Sequence, residues 1–99
     1  MKTYTICGSM RFSEEMMQIS FMLESQKGFN VLQCVYNTNK DSLSSNEFEN
    51  LSKAHLRKID ISDGIYVVNI NGYIGESVSK EIEYAHSKGK EIIYHCKYP

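Results

Sequence analysis

The sequence predicts an α/β domain built on a small doubly wound parallel sheet of four strands in the order 2-1-3-4. Three observations predict it. Short β-branched and aromatic runs alternate with stretches of helical period, and strands that alternate with helices pair in parallel. The third apolar run, residues 64–70 (GIYVVNI), is continuous, as expected of a strand buried on both faces. The chain has 99 residues, 41% hydrophobic and 23% charged, with a single proline, which is the length and composition of one globular domain.

Residues 3–7 (TYTIC) form the first strand. Ser13 opens a helix whose first turn carries Glu14 and Glu15, where carboxylates suit the helix dipole. Met16, Ile19, Ser20 and Leu23 recur at helical spacing, and Gly28 stops the helix. Residues 29–35 (FNVLQCV) make the second strand and 36–43 (YNTNKDSL) a polar loop. Ser44 and Glu47 form a capping box for the second helix. Its apolar stripe is Phe48, Leu51, His55 and Ile59, and on that stripe His55 reads as a satisfied core residue. Residues 71–75 (NGYIG) are a turn, 77–88 a third helix ending at Gly89, and 91–96 (EIIYHC) the last strand. Right-handed crossovers put the first helix on one face and the other two on the opposite face, a three-layer arrangement of the flavodoxin-like or Rossmann-like kind. One helix does not cover four strands. The face over strands three and four, with Ile65, Val67, Ile92 and Tyr94 or their alternates, is therefore expected to be bare and to bind a second copy in a homodimer or higher homo-oligomer.

Eleven Lys and Arg against twelve Asp and Glu leave a net charge of −1, so no basic excess drives binding to nucleic acid or to an anionic membrane. No apolar run approaches a membrane span, and no signal-peptide pattern precedes Thr3. Cys7, Cys34 and Cys96 are odd in number and widely spaced, which fits neither a disulfide framework nor a zinc motif. They read as small buried residues in a reducing cytoplasm, with no metal and no cofactor.

In a doubly wound sheet a ligand sits beyond the carboxyl ends of the strands, where the strand order reverses. Three polar loops meet there: residues 8–11 (GSMR), 36–39 (YNTN) and 69–77. The first leads into a helix N-terminus, so backbone N–H groups, the Ser9 hydroxyl and the Arg11 guanidinium suit an anion, most naturally a phosphate. Tyr73 is the tyrosine suited to stack on a base or sugar. On the third helix Val78, Ile82 and Ala85 form the buried stripe. Glu81 lies ~60° from its centre, at the edge of the buried face. Glu83 lies on the far side, and Glu76 and Lys80 are spaced to pair with each other.

These residues carry a resemblance. Cys7-Gly8-Ser9-Met10-Arg11 resembles the Cys-Gly-Ser-Ile-Arg loop of the deoxynucleoside 5′-monophosphate N-glycosidases. Glu81-Ile82-Glu83-Tyr84-Ala85 resembles the Glu-Leu-Gly-Tyr-Ala segment of the nucleoside 2-deoxyribosyltransferases, and residues 72–77 (GYIGES) are similar to short relatives of the same superfamily. The resemblance implies that Glu81 is the catalytic nucleophile, attacking the anomeric carbon of a deoxynucleoside or its 5′-monophosphate as the base leaves. It implies that Gly8, Ser9, Arg11, Gly75 and Ser77 bind the 5′-phosphate and that Asn69 lies near the sugar or base. The transferases' acid, six residues before the nucleophile, falls on Gly75 here, and Glu76 is the nearest carboxylate to replace it. The alternative reading is a non-catalytic nucleotide-sensing module using the same pocket.

Overall fold

Alternation along the first strand gives it two buried faces and a central place in the sheet. In the computed structural model, which describes residues 1–36 and 42–97, β1 (Thr3–Gly8) runs into a 3₁₀ turn (Met10–Phe12) and α1 (Ser13–Ser25). There follow β2 (Asn30–Leu32), α2 (Ser45–Asp60), β3 (Gly64–Val68), a second 3₁₀ turn (Ile70–Gly72), α3 (Glu76–Ser87) and β4 (Glu91–Tyr94). All strand pairs are parallel, and the order is β2-β1-β3-β4, as the sequence predicts.

The helices take the predicted faces. Tyr4 and Ile6 of β1, with Val31, Tyr66 and Val68, pack beneath Met16, Ile19 and Leu23 of α1 and beneath Phe12. On the other face Cys7, Ile65 and Val67 meet Ile59 of α2 and Val78 and Ala85 of α3. All five residues of β3 are buried, which explains its uninterrupted apolar run. Gly8 lets β1 end against α1, because a Cβ there would lie 2.7 Å from Met16 Sδ and 3.2 Å from Val68 Cβ.

Three expectations are corrected. The second strand is shorter than 29–35, because only Asn30, Val31 and Leu32 pair with β1 (opposite Thr3, Tyr4 and Thr5) before the chain leaves this sheet edge. The face over β3 and β4 is not bare. Tyr66 and Val68 are buried against the α1 side, Ile93 is partly buried, and Ile65 and Val67 lie beneath the other two helices. The exposed large apolar side chains include Met17, Phe21, Val35 and Phe48 instead. The stripe of α2 is not wholly core either: Ile59 is its one buried residue, whereas Phe48 is 57% exposed. Of the loop expected over 36–43, residues 37–41 lie outside the described residues. Among the described residues no helix is long and apolar enough to cross a membrane.

Candidate functional site

At the carboxyl end of the sheet the chain turns sharply after both central strands. After β1 the Ser9 hydroxyl accepts from the Arg11 backbone N–H at 3.4 Å and the Ser9 carbonyl from Phe12 N–H at 2.9 Å, which closes the first 3₁₀ turn. After β3 the turn needs left-handed backbone at Asn71 (φ 57°) and Gly72 (φ 76°), a conformation the Asn-Gly pair adopts readily. This delivers Tyr73 and then Gly75, the N-cap of α3. No side chain caps that helix, so its first backbone N–H groups remain available to an anion. By contrast α2 is fully capped: Glu47 N–H donates to the Ser44 hydroxyl (3.1 Å) and Ser44 N–H to the Glu47 carboxylate (2.9 Å). That second bond holds the Glu47 carboxyl below its ordinary range.

These elements enclose a cleft of about 390 Å³. Gly8, Ser9 and Met10 form one wall, and Tyr73, Gly75, Glu76, Ser77 and Glu81 another. Val35, Leu43, Phe48 and Leu51 add an apolar side, with His55 and Lys58 from α2. A larger and more open hollow of about 530 Å³ lies between α1 and the chain after β2. Its one carboxylate, Glu24, is spent accepting the Val31 backbone N–H at 2.9 Å, so we place the chemistry in the smaller cleft.

At the floor of that cleft three elements bring three functional groups together: His55 and Glu81 line it, and Cys7 lies buried behind them. His55 Nε2 lies 3.3 Å from Glu81 Oε1, with the two side chains only 12% and 20% exposed. Cys7 Sγ lies 3.4 Å from the same His55 Nε2. Burial first, and then the neighbouring Glu81 carboxylate, push the Cys7 thiol well above its ordinary range. It is therefore a neutral S–H and a poor nucleophile. With its proton on Nε2, His55 donates to Glu81 and fixes the carboxylate's direction. Glu81 is thus the half-buried, oriented acid of the cleft, and it shares that cavity with the Gly8–Met10 turn.

The other expected residues divide. Gly8, Ser9, Tyr73, Gly75, Glu76 and Ser77 line the cleft with Glu81. Arg11 does not line the cleft; its guanidinium stacks 3.8 Å from the centroid of the ring of Tyr73, which does. Glu76 lines the mouth with its side chain turned to water, 3.6 Å from Lys80. Asn69 does not line the cleft. It is fully buried, its amide donating to the Cys96 carbonyl (3.1 Å) and accepting the Cys96 N–H (2.8 Å), which ties the end of β4 to β3. The sequence presents Cys7 and His55 as core residues, whereas the structure joins both to Glu81 through His55 Nε2. The signal for His55 was its place on a stripe that ends at Ile59, one turn beyond it.

No known protein family, curated protein or solved structure matches the chain.

Proposed function

We propose that the protein cleaves or exchanges the N-glycosidic bond of a deoxynucleoside or deoxynucleoside 5′-monophosphate, with Glu81 as nucleophile. One observation carries the reading: a half-buried carboxylate, oriented by His55, faces a cleft whose other walls are the Ser9 turn and the uncapped start of α3. The volume lies within the roughly 300–1,000 Å³ of small-molecule pockets. A 5′-phosphate would take the backbone N–H groups and the Ser9 and Ser77 hydroxyls, and the base would lie against Tyr73 and the apolar wall. The anomeric carbon is then presented to Glu81. As the bond to the base breaks, its electron pair leaves with the base and the sugar gains oxocarbenium character, which the adjacent carboxylate stabilises. Glu81 closes on the carbon to form a deoxyribosyl ester. Water then attacks the same carbon, releasing the sugar and restoring the carboxylate, or a second base does so in exchange. The likeness of residues 7–11 and 81–85 to the glycosidases and transferases supports the same assignment. Three cysteines free of disulfides fit a cytoplasmic setting.

The test is free-base release from a panel of deoxynucleosides and deoxynucleotides, followed by chromatography. Release that falls at least about 10³-fold in Glu81→Gln supports the proposal. Release that survives in Glu81→Gln and is lost in Glu76→Gln overturns the assignment. A second reading, the nucleotide-binding module without turnover, is favoured by Glu76: the one candidate acid for the leaving base pairs with Lys80 at the surface. Thermal stabilisation by nucleotides without base release distinguishes it.

A further inference from the structure

The trio beneath the cleft has a second chemistry. Cys7 from β1, His55 from α2 and Glu81 from α3 each offer one donor atom, and all three lie within 4.8 Å of one another. Tetrahedral zinc, with Zn–S about 2.3 Å and Zn–N and Zn–O about 2.0 Å, spaces its ligand atoms roughly 3.3–3.6 Å apart. The separations here are 3.4 Å for sulfur to nitrogen and 3.3 Å for nitrogen to oxygen. We propose that Cys7, His55 and Glu81 form a zinc(II) site at the floor of the cleft. One thiolate, one carboxylate and one neutral imidazole balance the dication, so the occupied site carries no net charge in a half-buried place. The sulfur–nitrogen–oxygen set favours zinc over the hard cations magnesium and calcium, which take oxygen ligands. Binding exchanges the thiol proton for a metal–sulfur bond, and that proton passes to solvent; the imidazole proton moves from Nε2 to Nδ1, which frees the Nε2 lone pair for the metal while His55 stays neutral. His55 and Glu81 line the cleft, so the fourth coordination position opens into it. Metal binding itself is independent of the glycosidase reading. Its consequence, that zinc withdraws Glu81 from sugar chemistry, rests on that reading.

The experiment titrates chelator-treated full-length protein with cobalt(II) and then displaces the cobalt with zinc(II), without nucleotide. We expect one cobalt per chain, with thiolate-to-cobalt charge-transfer absorption and tetrahedral visible bands. The charge-transfer band disappears in Cys7→Ser and persists in Cys34→Ser. His55→Gln and Glu81→Gln weaken zinc binding at least about tenfold. Circular dichroism shows that each variant is folded, and if Cys7→Ser does not fold, the His55→Gln and Glu81→Gln affinities decide. A missing band, a band that survives in Cys7→Ser, or zinc affinity unchanged in both His55→Gln and Glu81→Gln overturns the site. Base release by the metal-free protein tests the glycosidase reading separately.

Discussion

Removing Ile59 tests how the second helix, and with it His55, is held. The sequence presents Phe48, Leu51, His55 and Ile59 as one stripe, but Ile59 is 0% exposed whereas Phe48 is 57% exposed. Ile59 packs with Cys7, Ile65, Val67, Val78 and Ala85, so Ile59→Ala deletes buried carbons and leaves a cavity between helix and sheet. Such truncations cost about 2–5 kcal/mol, and alanine's better helix propensity returns only about 0.4 kcal/mol. A net loss of ~3 kcal/mol, at about 4–8 °C per kcal/mol for a domain this size, lowers Tm by roughly 12–24 °C. Phe48→Ala removes a larger side chain yet should change stability by less than about 0.5 kcal/mol, because it lies on the surface. Its effect belongs to the cleft: weaker nucleotide binding at unchanged Tm. Thermal denaturation followed by circular dichroism reads both variants. Equal shifts in the two, or a shift below about 3 °C in Ile59→Ala, would refute the reasoning.

Other predictions follow from the same contacts. Tyr4 OH donates to Glu91 at 2.5 Å; burial and then this bond push Tyr4 up to about 12, and the bond holds the Glu91 carboxyl below its ordinary range. A raised folded-state pKa adds stability that is full below the unfolded tyrosine value near 10 and is lost as pH rises toward about 12. The lowered Glu91 value adds stability that is full above the unfolded carboxylate value and is lost as pH falls through the folded one. Tyr4→Phe should therefore flatten both limbs of the stability-against-pH curve in urea titrations; limbs as steep as those of the parent contradict this. Asn69→Ala orphans the Cys96 N–H and C=O and should cost about 1–3 kcal/mol in chemical denaturation. Because Asn69 does not line the cleft, nucleotide affinity measured below the transition should be unchanged, and a tenfold loss would return Asn69 to the ligand.

The sheet order was legible because strand and helix periods are distinct along this chain and right-handed crossovers leave few arrangements. The burial of Met16, Ile19, Ser20 and Leu23 in α1, and the edge position of Glu81, follow from helical spacing. Periodicity names the apolar side of a helix without saying whether that side meets a core or a cleft, and α2 does both along its length. The Cys7–His55 contact joins residues 48 apart and depends on three elements converging, so no local spacing announces it. The resemblance puts Asn69 near the sugar or base, whereas its amide closes a backbone pair that only the position of the last strand creates.

The most direct measurement is the mass of the protein quenched in acid during turnover of a deoxynucleoside 5′-monophosphate, followed by peptide mapping. The account predicts an adduct of one deoxyribose 5-phosphate, esterified at Glu81 and absent from Glu81→Gln. Base release accompanied by an adduct at a different residue, or continuing undiminished in Glu81→Gln, would contradict it.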